Sequence, residues 1–154
     1  MVNARSMIVA SLVSMLLALA VVTGVAADAV YHTQRYQLNA VGTETGAGTV
    51  INAHANGPQV AANEHYLLVG ADPNTAYQVQ LVVYAGDTTC SSSPTVTVPS
   101  EIVETNGAGN GHANHRFTPA DVDGLHGSTV GIVWQFMRGG QLAYQTDCET
   151  VVLD

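Results

Sequence analysis

Lysine is absent from this chain. Its only basic residues are Arg5, Arg35, Arg116 and Arg138, against twelve acidic ones, for a formal net charge of −8. Neutralising a phosphate backbone takes a clustered cationic face, which excludes nucleic acid as a partner. The same deficit argues against docking on anionic lipid. Charged residues make up 10% of the chain, where about a quarter is usual. The polar surface is therefore built from Thr, Ser, Asn, Gln and Gly, which suits an extracellular β protein. Cysteine is scarce as well: Cys90 and Cys148 stand alone, without C-x-x-C spacing, and two thiols cannot complete a structural metal site. There is no Gly-x-Ser-x-Gly turn to present a nucleophile. Gly46-Ala47-Gly48 and Gly107-Ala108-Gly109 lead into strands, not into the helix N-terminus that holds a phosphate. Amphipathic 3.6-residue periodicity is missing beyond the first segment, so no helix is expected in the domain.

What is present begins with a leader. Arg5 gives a positive start, Met7 to Val22 is apolar apart from Ser11 and Ser14, and Val25-Ala26-Ala27 offers the small residues a signal peptidase accepts. The expected signal peptide covers 1–27, with cleavage before Asp28 or, as a second site, after Ala29. The alternative is an uncleaved anchor, because Met7 to Ala27 is long enough to cross a bilayer. Cleavage leaves about 127 residues, one domain of 28–154. In the oxidising compartment this implies, Cys90 and Cys148 should join.

From Ala29 onward, short runs rich in Val, Thr, Tyr and Ile alternate with Gly, Pro, Asn and Asp, the texture of an antiparallel sandwich or barrel. Tyr77, Val79, Leu81 and Val83 share one face of the clearest strand, Tyr77 to Tyr84; Val130, Ile132, Trp134 and Phe136 share a face of a second, Thr129 to Met137. Gly139-Gly140 then supplies a hairpin turn, and Gln141 to Thr146 returns. Weaker strands run over Tyr31 to Val41, Thr49 to Ala55, Glu64 to Val69, Thr95 to Val103 and His112 to Thr118, for seven or eight in all.

Pro73, Thr75 and Tyr77, in the segment Asp72-Pro73-Asn74-Thr75-Ala76-Tyr77, resemble the tyrosine-corner lead-in of fibronectin type III and related immunoglobulin-like modules. Ala71 stands where those modules carry a larger aliphatic, and the resemblance covers about fifteen residues. It implies an immunoglobulin-like β-sandwich, which with the strand pattern gives the expected fold: all-β, antiparallel, seven or eight strands, one disulfide.

Six histidines raise a metal hypothesis. Two His-Ala-Asn segments, each preceded by a Glu-Thr pair and a Gly-Ala-Gly triplet, form a faint internal echo. If they are related strands, they bring together His54 and His112, with His115 or His65 as third ligand for copper or zinc. His112 and His115, an odd step apart, fall on opposite faces of a regular strand. Gly124-Leu125-His126-Gly127 has part of the copper/zinc superoxide dismutase signature without the paired histidines, and is rejected. Asp121 and Asp123 alternate as calcium ligands do but lack the rest of the loop, and read as a surface turn. Glu101 with Glu104, or Asp147 with Glu149, has the make-up of an acid/base pair. Val82, Tyr84 and Tyr144 are candidates for an apolar binding face. The expected role is a secreted or surface-associated, non-enzymatic binding, adhesion or assembly module for an extracellular protein or carbohydrate, with no membrane contact after cleavage. The alternatives are a histidine-based copper or zinc binder and a small secreted hydrolase using acidic pairs.

Overall fold

β-branched and aromatic runs between Gly and Pro turns fold as short strands that must pair to satisfy their backbone, and among the described residues nine of them do. The structure, a computed structural model, describes residues 31–55, 62–122, 124–125 and 127–153. The leader assigned to 1–27 lies outside the described residues. The strands are β1 Tyr31–Ala40, β2 Ala47–Ala55, β3 Ala62–Val69, β4 Ala76–Ala85, β5 Val96–Glu104, β6 Gly111–Phe117, β7 Ser128–Arg138, β8 Gln141–Gln145 and β9 Glu149–Leu153. One turn of 3-10 helix, Pro119–Val122, precedes β7. Among the described residues no helix is long and apolar enough to cross a membrane.

All ladders are antiparallel, in the order β5-β4-β7-β8-β1-β2-β3-β6, with β9 beside β7. β9 is one strand more than the sequence pattern indicated. It exists because β7 is eleven residues long and serves two partners on one edge, Gln135–Arg138 pairing with β8 and Ser128–Ile132 with β9. β1 pairs with β2 along most of its length and reaches β8 through Asn39 and Ala40. A hairpin closed by the Thr105–Gly111 bridge sets β5 and β6, the two ends of the order, side by side. The sheet is thus nearly barrel-shaped.

Its interior is aromatic. Trp134, Tyr66, Tyr77, Tyr144 and Phe136 are fully buried. Tyr36 stacks on Trp134 at 4.8 Å, and Tyr66 meets Phe136 edge-on at 5.8 Å, the geometries that ring quadrupoles favour. The Tyr77 hydroxyl accepts from Asp72 N–H at 3.3 Å, tying the Pro73–Tyr77 turn to the strand it starts. The expected Gly139-Gly140 hairpin is present, both residues at positive φ. Cys90 and Cys148 are joined, linking the β4–β5 loop to the break between β8 and β9.

Candidate functional site

Strand alternation on β1, β2, β3 and β6 sends neighbouring residues to opposite sides of one four-stranded layer. Inside, the register aligns Gln34, Asn52, Glu64 and His115 in one row across all four strands. The next row, Tyr36, Val50, Tyr66 and Ala113, is mostly apolar, so the polar row sits directly against the core. Glu64 is 1% exposed. One of its oxygens, Oε2, accepts from Trp134 Nε1–H at 2.7 Å and from the Tyr66 hydroxyl at 2.6 Å. The Tyr66 oxygen in turn receives the Ser100 hydroxyl at 2.7 Å. Burial disfavours the carboxylate more than these donors and His115 favour it, and the Glu64 carboxyl is pushed up to about 7. Burial also raises the Tyr66 hydroxyl, and with Glu149 and Glu64 nearby it holds Tyr36 up at about 12. Asn52, opposite Glu64 in the ladder, has its Oδ1 buried without a partner.

A bulge on β5 serves this row. The register with β4 shifts between Gln78 and Gln80, and the Gln78 amide donates to the carbonyls of Ser100 and Glu101 at 3.4 and 3.2 Å. The extra residue lets consecutive side chains, Ser100 and Glu101, both reach the β3–β6 side. Ser100 bonds to Tyr66, and Glu101 pairs with His115 Nδ1 at 3.0 Å.

The opposite side of the same four strands is the open one. Its rows are Thr33, Ala53, Asn63 and Arg116; then Arg35, Ile51, His65 and Asn114; then Gln37, Thr49, Leu67 and His112. No strand position on this side is Asp or Glu, in a chain that has twelve of them. Arg35 and Arg116 are exposed and without an ion pair among the described residues, whereas Arg138 is bound by Glu44 at 2.5 Å and by Asp72. His65 Nδ1–H donates to Asn114 Oδ1 at 2.5 Å, which fixes its ring and turns Nε2 away from that bond. Between these groups lies an open groove of about 530 Å³, lined by Thr33, Ile51, Ala53, Leu67 and the imidazoles of His65 and His112.

No family model, curated protein or solved structure matches this chain. The side chains themselves therefore carry the assignment. Of the four candidate metal ligands, His54 shares the inner face with Val50 and Asn52, and His115 is inside too, whereas His65 and His112 are outside. The layer thus separates His54 from His112, although their strands flank β3 on either side. Among the described residues no group of three or more His, Cys, Asp or Glu side chains is arranged to hold a metal ion.

The acidic pairs divide as well. Glu101 meets His115, while Glu104 is exposed opposite Ala76 at the end of β5. Asp147 is exposed; Glu149 is half-buried, its carboxyl raised by burial and then by Asp147. The Asp121 carboxylate accepts from the N–H and hydroxyl of Thr118, which hold it below its ordinary range. Asp123 and His126 lie outside the described residues. The apolar binding face needs correction. Tyr144 is fully buried, with its hydroxyl donating to Thr45 O at 2.5 Å, because the β7/β8 register slips between Phe136 and Met137 and its ring packs on Tyr77. Val82 is 5% exposed and lies beside Val133, and Tyr84 is half-buried. Neither Glu64 nor the two exposed arginines stood out from the sequence. The available signal was parity: Glu64 shares its strand face with Tyr66 and Leu68, and Arg35 faces away from Tyr36 and Leu38.

Proposed function

We propose that this protein is an exported, non-enzymatic binding module whose working surface is the outer side of the β1-β2-β3-β6 layer. The observation that carries the reading is charge segregation. On an acidic chain, this one side has no carboxylate on its strands, has two exposed arginines without an ion pair among the described residues, and has an aliphatic strip between them. Exposed apolar surface rimmed by polar groups marks interaction sites, and a layer braced from behind by the Glu64 network presents them rigidly. Export rests on the leader and on the Cys90–Cys148 bond, since disulfides persist in oxidising compartments.

Site-specific photocrosslinking tests it. A photoreactive side chain at Leu67, 38% exposed on this side, should give discrete adducts when the protein is produced by its own cells. The same group at Ile102, 53% exposed on β5, should not. Adducts from Ile102 alone, or equally from both, would overturn the reading.

A further inference from the structure

Taken as the binding surface proposed above, the four-stranded face also restricts the chemistry of its occupant, and the inference rests on that reading. Arg35 on β1 and Arg116 on β6 stand three strand spacings apart and one row out of step, about 16 Å along the diagonal. That diagonal passes over Ile51 and Ala53 and beside the His65 ring, which the bond to Asn114 holds in place. Among the described side chains on this side there is no Phe, Tyr or Trp, so no ring platform of the kind on which sugars stack lies on the diagonal between the two arginines. The aliphatic centre needs an apolar cover, and the two guanidiniums need anions held at a fixed separation, which carboxylates can meet in bidentate fashion.

We infer that the occupant of this face is an extended protein segment with the pattern Glu-x-Leu-x-Glu, its two carboxylates on Arg35 and Arg116 and its central aliphatic side chain over Ile51 and Ala53. In a strand, positions i, i+2 and i+4 point the same way and i to i+4 spans about 13 Å. The flexible Glu and Arg side chains make up the remainder. Acidic residues of either spelling, Asp or Glu, satisfy the chemistry. The flanking residues meet Thr33, Asn63 and Gln37, which are polar and uncharged, so the pattern and not a wider motif sets the preference.

The probe is an end-blocked peptide, Thr-Glu-Thr-Leu-Thr-Glu-Thr, titrated into the isotope-labelled full chain and followed by amide shift mapping. Three comparison arms are a peptide with Lys for both Glu, heparin, and polygalacturonate. The expected result is saturable binding of the first peptide, with shifts confined to residues such as Thr33, Arg35, Ile51, His65 and Arg116, no binding of the Lys peptide, and weakening by added salt. Arg35→Glu with Arg116→Glu should weaken binding by about ten-fold or more, and Arg35→Lys with Arg116→Lys by less; circular dichroism would establish that each variant is folded. If a glycan shifts the same amides and the acidic peptide does not, the face stands as the working surface and the protein partner is overturned. Peptide binding that maps to β5 or β4 overturns both. Failure of the peptide to shift any amide at millimolar concentration overturns the inference, and crosslinking from Leu67 then reports on the surface independently.

Discussion

A carboxyl group is rarely fully buried, and Glu64 is so placed because Trp134 and Tyr66 donate to it and the His115 imidazole lies beside it in the ladder. They do not fully offset its desolvation. The folded protein holds the Glu64 proton up to about pH 7, whereas the ordinary value is 4.5. Between those values the native state binds a proton that the unfolded chain has released. Stability from this group is therefore complete below the lower value and is lost as pH rises to the upper one, by about 3 kcal/mol in all. Glu64→Gln keeps the shape and an acceptor for Trp134 but cannot ionise. Urea melts across pH should show the variant close to the parent at pH 4 and more stable than it at pH 8; a difference that is flat, or that grows toward acid, would refute this account. Only the protonated carboxyl has an O–H to offer, and Asn52 Oδ1, buried and unpartnered across the ladder, is an acceptor in need of one. A second residue is decided by space alone. A Cβ on Gly131 would lie 2.4 Å from Asp87 O and 2.9 Å from Cys90 Sγ, so Gly131→Ala should destabilise by roughly 1–3 kcal/mol in the same melts.

Among the elements, β5 shows how local irregularity places side chains. Gln78 on β4 donates to two consecutive carbonyls of the bulge, which is what holds Ser100 and Glu101 toward Tyr66 and His115. Gln78→Ala should cost about 1 kcal/mol. It should also loosen the Glu101–His115 pair, seen as a change in the His115 ring resonances; unchanged resonances would mean that the bulge holds itself. The regular parts of these elements were legible in advance. Tyr77, Val79, Leu81 and Val83, and Val130, Ile132, Trp134 and Phe136, recur at a period of two because one side of each strand meets the core, although Val82 and Val133, paired on the other side, are buried as well. β9 was not legible: Glu149–Leu153 is five residues long and follows a cysteine, and its existence depends on spare length in β7. The same limit applies to β5, where the alternation breaks at the bulge and Ser100 and Glu101 gave no hint of a shared destination. The Tyr77 hydroxyl accepts from the Asp72 N–H, a local contact that does not bear on kinship.

At the scale of the molecule, the chain closes its sheet with one covalent tie in the right place to matter. β8 and β9 act as two halves of one partner for β7, separated by Thr146–Cys148, and the break is held by Thr146, whose N–H donates to Trp134 O while its hydroxyl accepts from Trp134 N–H. Cys148, next but one, is bonded to Cys90 across a separation of 58 residues. Closing a loop of that length in the unfolded chain is worth roughly 4 kcal/mol by chain entropy, a large share of the stability of a domain this size. Replacing both cysteines by serine should lower the urea midpoint by a corresponding amount, and dithiothreitol should do the same to the parent but not to the variant. The effect should also be local before it is global. Among the described residues β9 pairs with β7 alone, so without the tie the amides of Thr150 to Leu153 should exchange faster than those of β8, which also has β1 as a neighbour. Equal acceleration along β8 and β9 would show that the bond acts only on the unfolded chain and that the Thr146 contacts suffice to seat the last strand.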